Sequence, residues 1–207
     1  NRSENSGLTI DFRTVWGGVD VRSITGYRDS YSDQPQADID YSAADAIGNQ
    51  AYSTDIQTFT QELRLSGETD NMDWLIGGFY FDESIDFVSA IDFGSQWRNY
   101  ANILVAGTPA GGEAITGGLE ALLGYAPGTF FAPGTGVQET ATQENETYSF
   151  FGQMTYALSD KTDVTVGLNY LDDDKAVTLN QENTDIFAQL QLDGADGATA
   201  LTNAGFL

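Results

Sequence analysis

Between residues 8 and 16 the chain alternates with period two. Leu8, Ile10, Phe12, Thr14 and Trp16 fall on one side, and Thr9, Asp11, Arg13 and Val15 on the other. This is the pattern of a strand with one apolar and one polar face. Gly17-Gly18 follows, and two glycines supply the positive φ angles that a two-residue hairpin turn requires. The alternation resumes at Val19, Val21, Ser23, Thr25 and Tyr27. A turn at Gly17-Gly18 predicts Trp16 opposite Val19, Thr14 opposite Val21, Phe12 opposite Ser23 and Leu8 opposite Tyr27, on the mainly apolar face. On the other face Arg13 then meets Arg22, a repulsive pair with Asp11 and Asp20 two residues away to relieve it.

Four more strands are expected. After a patternless loop at about 30–53, one runs near 54–66, with Phe59, Gln61, Leu63 and Leu65 against Thr60, Glu62, Arg64 and Ser66. The turn 67–71 leads into a strand at about 73–86 that is apolar on both faces, so its orientation stays open. A Gly/Ala-rich connection of about 87–144 holds three of the four prolines. Residues 113–123 within it suit a short helix, which Gly117-Gly118 weakens. The fifth strand covers about 146–158, with Tyr148, Phe150, Gly152, Met154 and Tyr156 on one face. After a tight turn at 160–162 the sixth starts near Asp163, with Val164, Val166, Leu168 and Tyr170 on one face, and runs to about Leu179. The rest, to Leu207, has no periodicity.

Short and long connections alternate strictly. An outer-membrane barrel has this arrangement, with tight turns on one side and long loops on the other. The strands reach the ~9–11 residues that cross a bilayer at a tilt. Aromatics flank them at Trp16, Tyr27, Tyr31, Trp74, Tyr148, Tyr156 and Tyr170, as interfacial girdles do. Charges on the polar face suit a wet or plugged lumen better than a dry sandwich core. The expected fold is all-β: an antiparallel up-and-down meander of about six strands, a partial transmembrane barrel with long extracellular loops. Leu8, Phe12, Phe150 and Leu168 should point outward, and Arg13, Arg22, Arg64 and Gln153 inward.

Charge narrows the function. Thirty-one acidic residues against eight basic ones give a formal charge of −23. A nucleic-acid partner, which needs a basic surface, is not expected. There is no Cys and no His, so thiol and imidazole chemistry and most transition-metal sites drop out.

Three stretches resemble the barrel of TonB-dependent receptors. They are Ser23-Ile24-Thr25-Gly26-Tyr27-Arg28; Phe59-Thr60-Gln61-Glu62-Leu63-Arg64-Leu65-Ser66 with Asp73-Trp74-Leu75-Ile76-Gly77-Gly78-Phe79-Tyr80; and Tyr148-Ser149-Phe150-Phe151-Gly152-Gln153 with Val166-Gly167-Leu168-Asn169-Tyr170. The second is similar to the family's QELRLSS…WLVGGFYF hairpin. The third is similar to AVFGQ…DKLTLTAGLRYT…K, with Lys175 in place and Asn169 where the family usually has Arg. The resemblance covers about 8–180, loops excluded. It implies a cell outer membrane of a Gram-negative bacterium, outer-membrane lipid as a partner, and uptake of a small, scarce nutrient: a ferric siderophore, a vitamin or a glycan. It also implies a partnership with the TonB complex through an N-terminal region not found in 1–207. The whole chain is therefore expected to be an internal barrel fragment without the plug. The alternatives are a passive porin, or a soluble extracellular β-sandwich that binds glycans.

No enzyme, cofactor or metal site is expected. Asp172-Asp173-Asp174 would point to alternate faces of a strand and chelate poorly. Asp193-Gly194-Ala195-Asp196-Gly197 lacks the ligand spacing of a calcium loop. Asn145-Glu146-Thr147 fits a glycosylation sequon by chance. Glu62 and Arg64, two apart on one face, suit a lumen ion pair. The candidates for ligand contact are Trp97, Arg98, Tyr100, Phe130 and Phe131, an aromatic and arginine cluster in the longest loop. Packing of that loop onto the barrel mouth by the same residues is the favoured alternative.

Overall fold

A computed structural model describes residues 1–37 and 43–190. It contains one antiparallel sheet of six strands in sequence order. The strands are β1 (Arg2–Trp16), β2 (Val19–Gln34), β3 (Ile47–Thr69), β4 (Met72–Phe93), β5 (Gly136–Ser159) and β6 (Thr162–Asn183). Two helices, α1 (Trp97–Ala106) and α2 (Pro109–Leu123), lie between β4 and β5. Among the described residues no ladder joins β1 to β6, so both strands are free edges. The meander puts the tight turns at one end and the connections 35–46 and 94–135 at the other.

The first hairpin has the register that its alternation predicts. Trp16 pairs with Val19, Arg13 with Arg22 and Leu8 with Tyr27. Gly17 and Gly18 have φ of 60° and 83°, the pair of positive angles that this turn demands. The Arg13–Arg22 repulsion is relieved by Asp11: Arg13 Nη2 donates to Asp11 Oδ2 at 2.9 Å and Arg22 Nη2 at 2.8 Å.

The strands are longer than the alternation indicates. β3 starts at Ile47, β4 runs to Phe93, β5 begins at Gly136 and β6 ends at Asn183, so both long loops are shorter than expected. Period two shows in a sequence only where one face is apolar. Toward the long-loop end both faces are largely polar, and the signal fades although the ladder continues. The turn expected at 67–71 contracts to Asp70-Asn71, because Thr69 already pairs with Met72. The open orientation of β4 is settled by register. Trp74, Ile76 and Tyr80 share a face with Met154, Gly152 and Tyr148, while Leu75, Phe79 and Phe81 share the other with Gln153, Ser149 and Thr147.

Reading the register across the sheet gives a banded apolar face. One border is aromatic near the tight turns: Trp16, Trp74 and Tyr156. The other is formed by Tyr27, Phe59, Tyr80, Tyr148 and Tyr170, with Tyr80 and Tyr148 in ring contact at 5.0 Å. Between them lie Phe12, Leu63, Ile76, Phe150, Leu168 and Val166. From Met72 to Tyr80 the band spans about 27 Å of strand, or about 20 Å of height at the ~40° tilt of barrel strands. Beyond the second border the same face turns acidic, with Glu4, Asp55, Asp82, Asp86, Glu144 and Glu146.

Among the described residues no protein layer covers this face. Leu168 is 80% exposed and Trp16 is 81% exposed. Among the described residues the buried apolar ones are Ala101, Leu119 and Phe130, all in the connection 94–135. From Phe81 to Val88 in β4 and from Val137 to Phe151 in β5 the opposite face is the less exposed. A sheet bent toward that face crowds its side chains there and splays them on the apolar side. The inward positions carry the charges: Asp11, Arg13 and Arg22, with Glu62 and Arg64 in an ion pair. Asp173 points inward and accepts from Thr147 Oγ1 at 2.5 Å, while Asp172 and Asp174 take the other face. The sequence 193–197 lies outside the described residues.

Candidate functional site

The connection 94–135 folds into a cap beside the ends of β3, β4 and β6. Its helices are set by local chemistry. α2 starts at Thr108, whose Oγ1 accepts from Gly111 N, with Pro109 at the first helical position. α1 and α2 end on Gly107 and Gly124, both left-handed. Where the helices meet, a Cβ on Gly112 would run into the Asn102 backbone; that position must be glycine. The helix expected at 113–123 is therefore present and starts four residues earlier. Gly117-Gly118 does not stop it, because tertiary contacts along its buried side outweigh the ~1 kcal/mol propensity cost of each glycine.

Arg98 ties the cap together. It donates to Glu113 (2.7 and 2.8 Å), to Glu120 (2.7 and 2.9 Å) and to the Phe130 carbonyl (2.8 Å). Glu120 is fully buried, and it also accepts from the Phe130 and Gly128 N–H groups at 2.7 and 3.0 Å. Burial alone would raise the Glu120 pKa. The Arg98 hydrogen bonds and the two backbone donors outweigh it and hold the group below its usual range. Arg98 likewise lowers the Glu113 pKa, and the two carboxylates raise its own. Asn102 donates to Glu113 at 2.8 Å and accepts from Thr116 Oγ1 at 2.7 Å.

Two aspartates stitch the cap to the sheet. Asp45 accepts from Ser95 N (2.8 Å) and Ser95 Oγ (2.6 Å). Asp185, just past β6, accepts from Phe131 N (2.8 Å) and Phe187 N (3.1 Å) and is buried. Phe131 is thereby held at φ 57°, a left-handed conformation that a non-glycine adopts at a cost.

The five residues singled out in the sequence divide into two groups. Arg98 and Phe130 lie inside the cap; Phe130 is buried against Leu119, with Phe131 and Phe187 packed around that pair. Trp97 and Tyr100 are on a surface. Trp97 stacks on Phe93 at 4.7 Å and 8° and leans on Tyr100 at 5.5 Å. With Gln96, Asn99, Ile103 and the segment near Ile47, they line a cavity of about 560 Å³. Sequence reasoning missed Asn102, Glu113, Glu120 and Asp185. A signal existed for three of them. Arg98 and Asn102 are four apart and Glu113 and Glu120 seven apart, so each pair shares a helix face.

No helix among the described residues is long and apolar enough to cross a membrane, which does not bear on strands. No protein-family model matches the sequence, and no curated protein matches it. The fold is similar to the ferric yersiniabactin uptake receptor FyuA from Yersinia pestis, with a TM-score of 0.58 and 12% identity. The match covers 87% of this chain and 22% of that receptor, so the chain spans about a fifth of that receptor's length. At this identity the likeness is one of fold alone.

Proposed function

We propose that this chain is part of the wall of an outer-membrane β-barrel, with one of its extracellular loops folded as a cap, in an uptake receptor of the TonB-dependent type. One observation carries the reading. The sheet has an apolar band about 20 Å tall, near the ~25 Å of the lipid-facing band of outer-membrane barrels; it is bordered by aromatic rows and covered by no layer among the described residues, and the other face is charged. In water such a face is a liability; against lipid it is the required surface. The free edges fit the same reading, since in a closed barrel neighbouring strands of the parent protein would pair with β1 and β6. In the receptor the wall's charged side faces the lumen, the cap sits at the outer mouth, and energised transport depends on regions outside this chain.

Fractionation of the full-length parent from a Gram-negative host tests this. It should sediment with outer membranes, need detergent for extraction, and migrate on gels faster unboiled than boiled. Recovery of folded protein in the soluble fraction without detergent would overturn the reading. Dependence on TonB separates an energised receptor from a passive porin: nutrient accumulation should cease when TonB is deleted.

A further inference from the structure

The charge on this chain is sorted by position, and the sorting bears on what the receptor takes. The projecting wall beyond the tyrosine border is acidic on its outer side. Its inner side is not. The two rows of paired positions running from Asn5 to Val177 and from Ser3 to Leu179 contain no charged residue; they offer serine, threonine, asparagine and glutamine among Ile56, Ile85 and Phe87. In the next row Glu139 is the single charge, and it is negative. The inward-facing bases, such as Arg28 and Lys175, lie deeper. In the cap, Arg98 is saturated by two carboxylates and a carbonyl.

The cap cavity has the same character. Its described lining, including Gln96, Trp97, Asn99, Tyr100 and Ile103, holds no charged side chain in a chain of net charge −23. It pairs two aromatic rings with two carboxamides. The Asn99 amide and the Tyr100 hydroxyl hydrogen-bond to no other described group. Trp97 is fixed by its stack on Phe93, so the platform is rigid before any ligand arrives. Aromatic faces take the C–H faces of a sugar ring, and carboxamides exchange hydrogen bonds with its hydroxyls without the desolvation cost of a charge. An anionic ferric chelate would enter an acidic field and meet no free cation at the mouth.

From this arrangement we infer that the cap cavity bounded by Trp97, Asn99 and Tyr100 is a capture site for a neutral, hydroxyl-rich ligand, a short oligosaccharide, which then passes the uncharged inner rows beyond the tyrosine border on its way inward. The inference rests on the barrel-receptor reading and names its substrate class.

The test uses the full-length parent purified from outer membranes in detergent. Four neutral trisaccharides (maltotriose, cellotriose, xylotriose and chitotriose) and one anionic chelate, ferric citrate, are titrated by calorimetry. At least one sugar should bind with a Kd below about 1 mM. Tyr100→Ala and Asn99→Ala should each weaken that sugar at least fivefold while leaving amide exchange in α1 unchanged; both side chains are exposed, so neither variant threatens the fold. Binding of ferric citrate with no binding of any sugar overturns the inference, and so does sugar binding that both variants leave intact. A barrel that binds none of the five ligands also overturns it. Failure of the underlying reading looks different: the parent would not be recovered in the outer membrane at all.

Discussion

Arg98→Met removes the charge that neutralises Glu120. Glu120 has no exposed side-chain surface and Arg98 only 16%, so solvent cannot replace the lost partner. Breaking a buried pair by removing one member costs ~3–5 kcal/mol. Glu120 keeps the Phe130 and Gly128 N–H groups, which places the expected cost at the lower end, ~3 kcal/mol, or roughly a hundredfold in the cap's opening equilibrium. The assay is native-state amide exchange on the full-length barrel in micelles. Protection in α1 and α2 should fall about a hundredfold, with β4 and β5 unchanged, because the cap opens as a local unit. The double variant Arg98→Met, Glu120→Met should recover most of the loss, since an apolar pair leaves no buried charge. Unchanged protection in the single variant would refute the reasoning, as would a double variant that opens at least as readily as the single.

The same network sets a pH dependence. Folded Glu113 and Glu120 have lowered pKa values, so their contribution is complete above the ordinary carboxylate value of ~4.3 and is lost as pH falls through the lowered ones. Corrected for intrinsic exchange, cap protection should be flat from about pH 6 to 8 and decline below about pH 4. In Arg98→Met the sign should reverse: an unpaired, buried Glu120 has a raised pKa, and the cap then gains stability on acidification. In the sheet, Leu168→Arg places a charge in the middle of the apolar band, at a cost of ~2–4 kcal/mol near a bilayer midplane. Asn169→Arg places it inward, where Asn169 now accepts from Ser149 Oγ at 2.9 Å. Folding yields into lipid vesicles should drop for the first and hold for the second.

What could be read from the sequence follows from where one face meets an apolar environment. The β1–β2 register was legible residue by residue, because Gly17-Gly18 fixes the turn and the alternation on both sides agrees with it. The lower halves of β3, β5 and β6 were legible for the same reason. Their upper halves were not: from Glu139 to Glu144, polar residues follow one another on both faces, and a strand in that setting looks like a loop. The cap was harder still. Its contacts join Arg98 to Glu120, Asp45 to Ser95 and Asp185 to Phe131, across 22, 50 and 54 residues, and no local pattern announces pairs so far apart. Arg98 and the aromatics stood out as chemistry-bearing residues, but only the fold separates Arg98 and Phe130, which hold the cap together, from Trp97 and Tyr100, which line its surface.

The central claim is that one face of this sheet meets lipid and the other an aqueous lumen. The chain has no cysteine; in a parent cleared of cysteine elsewhere, single cysteines placed at successive positions from Val164 to Leu171 can carry a nitroxide one at a time in the membrane. The most direct measurement is the collision rate of each label with oxygen, which partitions into lipid, and with a water-soluble nickel chelate. At Val164, Val166, Leu168 and Tyr170 oxygen should dominate, and at Thr165, Gly167, Asn169 and Leu171 the nickel chelate should. A period of two in opposite phase for the two reagents is the predicted result; equal nickel accessibility on both sets of positions would contradict the account.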